Sequence, residues 1–308
     1  MRALVARRLD GPDAIELIET EVPEPAEGQV RIKVAAAAVN PVDLAVSAGA
    51  AVEFGLTAAR EQFGLGWDVA GTVDAVGPNT QAPAETVVGV ADLLGRSLKT
   101  HAEYVVLNVD AVVRAPEGLE LANAATFGLN GLTALQAVNR LEGQTVLVTG
   151  AAGGVGGYAV ELAKHRGLTV IASAGARDEE LVRRLGADHF VDRNEDLAAA
   201  VRRIVPLGVD GVVDAAVVGI GAQEAVRNGG RHVHLQPGPR PPHLRDITVE
   251  QQFIHTNRED LEELVRLVEA GVLSTRVAET YRLEEATVAY KRVAAGGVRG
   301  RVVLLPQG

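Results

Sequence analysis

A glycine-rich segment, residues 150–157, lies between a short apolar run and an amphipathic stretch, and five of its eight residues are glycine. Free backbone amides at the start of a helix bind a diphosphate, and the residue that meets the diphosphate closely must lack a Cβ. Gly153 suits that contact, and Gly156 suits close packing of the helix on its strand. The amides expected to bind are those of Gly153, Gly154, Val155 and Gly156.

The match to the dinucleotide fingerprint is incomplete, because Ala151 stands where the first glycine usually lies. The alternative interpretation is a tight turn without a ligand. The order of strand, turn, helix and second strand favours a dinucleotide site.

The end of the second strand indicates which dinucleotide is preferred. An NAD site usually has an acidic residue about twenty residues past the glycines, whereas this chain has Ser173 and Arg177 and no acid before Asp178. A small residue followed by arginine leaves space and positive charge for a 2′-phosphate, so NADPH is the predicted cofactor. Arg193, after the third strand, is a second candidate cation. The alternative is that both arginines are solvated surface charges.

From about residue 118, apolar runs alternate with amphipathic stretches, which is typical of strands and crossover helices in a parallel sheet. Asn257 is expected to cap a helix that ends at Gly271. The predicted strands are 144–149, 168–173, 189–192, 211–214 and 231–235. One predicted helix follows the glycine-rich segment and ends at about residue 166, and the others cover 178–185, 194–204 and 221–227. The pattern predicts a doubly wound α/β fold.

Short alternating segments such as residues 30–34 predict a mainly β domain in the first part of the chain. The closing residues are expected to form a helix and a strand that return to it. We therefore predict one domain over 1–117 completed by 274–308, and a dinucleotide-binding domain over 118–273.

Composition excludes several classes of protein. The 308 residues carry a net charge of −10 with no long run of Lys or Arg, which argues against nucleic acid as a partner. There is no apolar stretch of membrane-spanning length and no signal-peptide core, so a cytoplasmic protein without a membrane partner is expected. The absence of cysteine removes disulfides, thiolate catalysis and sulfur-ligated zinc sites.

Several segments resemble the medium-chain dehydrogenase/reductases. Residues 38–43 and 66–77 are similar to the two N-terminal signatures of that superfamily, and segments 124–134, 185–188 and 298–304 fit it as well. In its zinc-dependent alcohol dehydrogenases, a Cys ligand stands where this chain has Asn40 and a His ligand where it has Trp67. Neither asparagine nor tryptophan replaces those ligands, so the chain resembles the zinc-free quinone oxidoreductases and ζ-crystallin-like proteins, and no metal is expected.

The resemblance implies a GroES-like catalytic domain, a Rossmann domain and a homodimer. It also implies that Asn40 lies by the nicotinamide ribose or the acceptor oxygen; the equally weighted alternative is that Asn40 stabilises the turn before Pro41. Asp43 and Asp68 either orient the backbone of the site or are ordinary turn and strand-end acids. The remaining expected cofactor contacts are Asn130 and Thr133 near the nicotinamide, and Leu235 and Phe253 as pocket walls unless they are simply core residues.

Without a Lewis acid, hydride addition is easier to a conjugated acceptor, because the charge spreads over an enolate or hydroquinone anion. The predicted function is therefore an NADPH-dependent reductase of quinones or α,β-unsaturated carbonyls. The alternative is a catalytically weak NADPH-binding sensor or structural protein of the same fold. Residues 46–54 favour that alternative, because they lack the tyrosines that often line the cleft in ζ-crystallin relatives.

Overall fold

A computed structural model describes residues 1–235 and 240–307. The chain divides into two compact units: the first contains Met1–Leu129, His255–Ala270 and the chain from Thr275 onward, and the second contains Asn130–Ile254 and Gly271–Ser274. The predicted domain limits, 1–117 with 274–308 and 118–273, stay predictions.

The strands are distributed along the whole described chain. They are β1 (Arg2–Ala6), β2 (Ile15–Glu19), β3 (Gln29–Val39), β4 (Phe63–Gly64), β5 (Asp68–Val76), β6 (Thr86–Val90), β7 (Tyr104–Asn108), β8 (Val112–Arg114), β9 (Thr145–Thr149), β10 (Thr169–Ala174), β11 (His189–Asp192), β12 (Val209–Asp214), β13 (Val226–His234), β14 (Thr248–Gln251), β15 (Val277–Arg282) and β16 (Arg301–Leu305).

The longer helices lie mainly in the second half of the chain. In chain order, the α-helices of the described residues are α1 (Pro41–Ser47), α2 (Ala50–Glu53), α3 (Leu121–Ala124), α4 (Gly128–Asn139), α5 (Gly154–His165), α6 (Glu179–Arg184), α7 (Leu197–Ile204), α8 (Ile220–Glu224), α9 (Arg258–Glu269) and α10 (Ala286–Ala294).

The first unit is mainly β and is organised around the long strand β3. One sheet has the order β15-β16-β3-β5-β6-β8, with β7 also paired to β3, and a smaller sheet has the order β2-β1-β4. Val30, Ile32 and Val34 alternate with polar residues along β3 and lie fully buried in the core, which is the period-two pattern of a strand with one covered face.

The second unit has a parallel sheet in the order β11-β10-β9-β12-β13-β14. This order reverses direction between β9 and β12, as in a Rossmann fold. Its central strands are continuous apolar runs, such as the fully buried Val146, Leu147 and Val148, because helices cover both faces. The predicted doubly wound α/β fold is confirmed.

Several elements differ from the sequence prediction, among them the predicted helix 194–204, which begins at Leu197 after the Asp196 cap, and the predicted strand 231–235, which begins at Val226. The predicted helix 221–227 is wrong at its end: α8 stops at Glu224, and β13 begins at Val226, whose pairing with Val209 of the neighbouring strand outweighs local propensity. Strands β14 and β15 were not predicted, since their short, half-exposed sequences carry little apolar signal. The capped helix is confirmed: the Asn257 side chain accepts a hydrogen bond from the Asp260 amide at the start of α9, and Gly271 has φ of +70° just past its end.

Candidate active site

The glycine-rich turn joins the end of β9 to the start of α5. Gly150 adopts φ of +61°, so the left-handed position of the turn precedes Ala151. The Gly153 amide donates to the Gly150 carbonyl oxygen at 2.8 Å and closes the turn. No side chain caps α5, and Gly153 is exposed. The helix start is therefore open to an anion, which fits the diphosphate of a dinucleotide.

Gly156 is required by the packing of the turn itself. A Cβ on Gly156 would lie 2.2 Å from the Gly150 carbonyl oxygen and 3.0 Å from the Ala151 Cα, well inside contact distance. A Cβ on Gly153 would lie 3.1 Å from the same oxygen, so it meets far less protein. Gly156 thus packs closely against the turn, whereas its packing on the strand and binding by the turn amides stay predictions.

The other predicted cofactor contacts of the second unit follow the carboxyl ends of its strands. Because the strands are parallel, these ends meet at one edge of the sheet, where ligands of such folds bind. Leu235 is half-buried and Phe253 is 50% exposed. The residues placed at this edge are Ser173, Arg177, Arg193, Leu235 and Phe253.

Arg177 and Arg193 differ from the other arginines of the second unit. Both are exposed, and neither guanidinium forms a hydrogen bond or ion pair with any residue the structure describes. Each of the other ten arginines in this unit donates to a described side chain or carbonyl. The Arg193 guanidinium carbon lies 3.8 Å from where a Cβ of Gly175 would be, directly past the end of β10. Two exposed cations without a described partner therefore lie past the carboxyl ends of β10 and β11, and their contact with a ribose phosphate stays a prediction.

In the first unit, Asn40 and Asp68 form a buried pair. The Asn40 Nδ2 donates to one Asp68 carboxylate oxygen at 2.8 Å, and the Leu129 amide donates to the other at 2.6 Å. Asn40 is only 1% exposed and precedes α1 as its cap residue. The side chain therefore supports the local fold, and its role beside a nicotinamide or acceptor remains a prediction.

Asp43 has the same kind of role as Asp68. Its carboxylate accepts from the Asn40 amide and from the Gly66 amide, both at 2.8 Å. Both aspartates are buried and accept hydrogen bonds from backbone amides, so they stabilise the local fold, and whether this backbone belongs to the active site stays open. Burial raises the pKa of Asp68 to about 6, although its hydrogen bonds favour the charged form.

Replacing Asp68 by alanine should lower the free energy of unfolding by about 3 kcal/mol, because two buried donors lose their acceptor at about 1–3 kcal/mol each. Urea unfolding measures this change. Asp74→Ala, on the exposed part of the same strand, is the matched control and should cost far less. Since the native pKa of Asp68 is raised, the part of its stability that comes from this shift is present below about pH 4 and is lost as pH rises through about 6, whereas its hydrogen bonds persist in the charged form. An unchanged unfolding curve for Asp68→Ala would contradict this role.

Comparison with known proteins places the chain in a family. Two family models match: an alcohol dehydrogenase GroES-like domain over residues 26–117 and a zinc-binding dehydrogenase over residues 185–304. The chloroplast envelope quinone oxidoreductase homolog of Arabidopsis thaliana is 30% identical, over 96% of this chain and 95% of its own. The chain belongs to the quinone oxidoreductase family of the medium-chain dehydrogenase/reductases. The resemblance predicted from the motifs, including the GroES-like domain, is confirmed.

Further relatives of this quinone oxidoreductase family member cover nearly its whole length. The NADPH-dependent alkenal/one oxidoreductase of Arabidopsis thaliana is 30% identical, over 99% of this chain and 80% of its own. The structure of the quinone oxidoreductase from Coxiella burnetii has a TM-score of 0.87 at 29% identity, with 100% and 99% coverage. A structure described as an NAD-dependent alcohol dehydrogenase has the same TM-score, at 31% identity and 99% coverage of each chain. Together these relatives support an NAD(P)H-dependent reductase.

Asn130 and Thr133 of this family member lie three residues apart on α4, so they share one face of the helix. They are 5% and 9% exposed. Their approach to the nicotinamide stays a prediction.

Two buried basic side chains were not singled out by the sequence. His101 lies between the Tyr290 hydroxyl, 2.8 Å from Nδ1, and the Ala38 carbonyl oxygen, 3.0 Å from Nε2. Since a carbonyl only accepts, Nε2 carries the proton and the tyrosine donates to Nδ1; burial lowers the pKa of His101 in agreement with a neutral ring. Lys99 lies over the ring of Trp67, 3.5 Å from its centroid. No sequence motif marks either residue.

Within residues 1–235 and 240–307, no three histidine, aspartate or glutamate side chains are grouped as metal ligands would be. In the same part of the chain, none of the helices combines the length and apolar character that crossing a bilayer requires.

Proposed function

We propose that this protein is a zinc-independent NADPH-dependent reductase of quinones and α,β-unsaturated carbonyls. The observation that carries the proposal is a pair of arginines, Arg177 and Arg193, whose guanidinium groups have no described partner. They lie at the same sheet edge as the glycine-rich start of α5, which no side chain caps. A dinucleotide with an additional phosphate matches that arrangement of donors and charge.

The proposed binding mode assigns one task to each group of residues. The amides of the turn that begins at Gly153 hold the diphosphate, and Ser173 with the two arginines holds the ribose phosphate. Bound NADPH supplies a hydride. Asn130, Thr133, Leu235 and Phe253 orient the nicotinamide, and Asn40 contributes a polar group beside it or the acceptor.

Zinc independence is supported by the chemistry of the donors. The Asn40 amide nitrogen is engaged by Asp68, and the Trp67 indole has no lone pair to offer a metal. The Lys99 ammonium on the face of that indole would also repel a divalent cation. A conjugated acceptor is suited to such a site, because its developing negative charge is delocalised and hydrogen bonds suffice to stabilise it.

The test is NADPH oxidation by purified protein with a panel of quinones and α,β-unsaturated ketones, in buffer with a chelator. Turnover that requires an acceptor and survives chelation is expected. Tight NADPH binding without turnover on any acceptor would instead support the alternative of a sensor or structural protein. Activity that a chelator abolishes and zinc restores would contradict zinc independence. The homodimer and the cytoplasmic location stay predictions.

A further inference from the structure

Lys99 is a buried cation without a partner for its protons. It is 3% exposed, and its Nζ donates no hydrogen bond to any residue the structure describes; its contact is with the Trp67 ring. Buried ammonium groups are normally paired, because an unpaired charge loses its hydration without compensation. The contact with the Trp67 ring compensates part of this cost and leaves the ammonium protons without an acceptor among the described residues.

The surroundings of Lys99 are built by close backbone approach. A Cβ on Gly64 would lie 2.7 Å from the Lys99 amide nitrogen, and one on Gly66 would lie 2.3 Å from the Thr100 hydroxyl oxygen. The His101 amide donates to the Leu65 carbonyl oxygen at 2.9 Å, which fixes the two segments together. Side chains are thus absent at two positions where they would prevent Lys99 from reaching Trp67.

The charges around Lys99 favour an ammonium but leave its protons available. Burial lowers the pKa of Lys99 to about 7 and Arg96 also opposes its charge, whereas Asp43, Asp92 and Asp68 stabilise it. The three carboxylates are already occupied by protein donors, including the Thr256 amide on Asp92.

Within the first unit, Lys99 is connected to Asn40 through two consecutive residues. Its ring partner Trp67 directly precedes Asp68, which binds Asn40. We propose that the Lys99 ammonium binds the oxygen of the electron acceptor and protonates it after hydride transfer. This inference rests on the proposed function.

The chemical step balances without a further reactant. Hydride forms a C–H bond at the β-carbon of an enone, and the electrons of the C=C bond move to give an enolate. An Nζ–H bond of Lys99 then breaks as an O–H bond forms, which gives the enol; with a quinone, the corresponding product is the hydroquinone. The neutral amine regains its proton from water. An amine that titrates near neutral pH is well matched to this transfer.

The first experiment uses Trp67, the single tryptophan of the chain, as a local reporter. We expect its fluorescence in the protein without cofactor to titrate with a midpoint near pH 7, and Lys99→Met to abolish that transition. Lys33→Met, which removes an exposed lysine from β3, is the matched control and should retain it. A transition that persists in Lys99→Met belongs to Asp68 or His101 and overturns the assignment.

The second experiment separates oxygen binding from catalysis. 4-Cyanophenol, a non-reducible stand-in for the acceptor oxygen, should bind Lys99→Met at least about tenfold more weakly than wild type by calorimetry. With a quinone, wild-type kcat should fall above about pH 7. In Lys99→Met this fall should be absent, and kcat should be lower than in wild type by about tenfold or more, with NADPH affinity unchanged. Lys99→Arg should restore phenol binding without the pH limb.

Each outcome has a defined meaning. Equal phenol binding and equal kcat in wild type and Lys99→Met overturn the inference while the reductase stands. Lys99-dependent phenol binding with no turnover of any acceptor overturns the proposed function and the proton transfer, but supports the oxygen-binding site.

Discussion

Arg177→Ala combined with Arg193→Ala is expected to weaken NADPH binding by about 100-fold, since two charge-assisted phosphate contacts are lost. NADH affinity should change by less than about twofold, because NADH lacks the 2′-phosphate. Calorimetric titration of both cofactors against wild type and variant measures the difference. The effect should shrink at high salt, because both guanidinium groups are exposed.

The matched control removes two other positive charges from the same unit. Arg184 and Arg203 are exposed and paired with Glu180 and Glu195, so replacing both by alanine changes the net charge equally without touching the proposed phosphate site. If the control weakens NADPH binding as much as the test variant, the effect is general electrostatics. Equal affinity of the wild type for NADPH and NADH would refute the phosphate-site argument outright.

Gly156→Val is expected to abolish measurable binding of either dinucleotide. A Cβ alone would lie 2.2 Å from the Gly150 carbonyl oxygen, so the turn must move and carry the first amides of α5 with it. Overpacking of this kind also lowers the free energy of unfolding, by about 1–3 kcal/mol. Binding is measured by calorimetry and stability by urea unfolding, so that loss of the site is distinguished from loss of the fold.

Gly221→Ala serves as the control for glycine replacement. Its Cβ would lie 3.3 Å from a methyl group of Val218, which can move, and its backbone is not left-handed. Dinucleotide affinity should stay within about twofold of wild type. A Gly156→Val protein that folds and binds NADPH normally would show that the close approach at the turn is dispensable.

Much of the fold was predictable from local sequence. The strands of the second unit are buried on both faces, so their apolar runs and the intervening amphipathic helices identify a parallel sheet directly. Asn257 and Gly271 marked the ends of α9, because capping and left-handed residues have specific side-chain requirements. β15 escaped prediction because a half-exposed strand that contains Glu279, Thr280 and Arg282 has no apolar run.

The sites were predictable to different degrees. The glycine-rich turn and the arginines follow their strands closely, so chain order locates them. Asp43 and Asp68 were candidates, but their tasks depend on amides distant in sequence, such as that of Leu129. Lys99 was not visible at all, since its burial arises from the approach of two separate segments at Gly64 and Gly66.

The position of β16 between β3 and β15 has a consequence for synthesis of the chain. Residues 37–39 of β3 pair with β16, which follows all the other described strands in the chain, whereas every strand of the second unit lies between residues 145 and 251. On the ribosome, the second unit therefore has all its strands while the apolar end of β3 still lacks a neighbour. Because this pairing joins residues far apart in the sequence, we expect the first unit to complete its sheet later than the second.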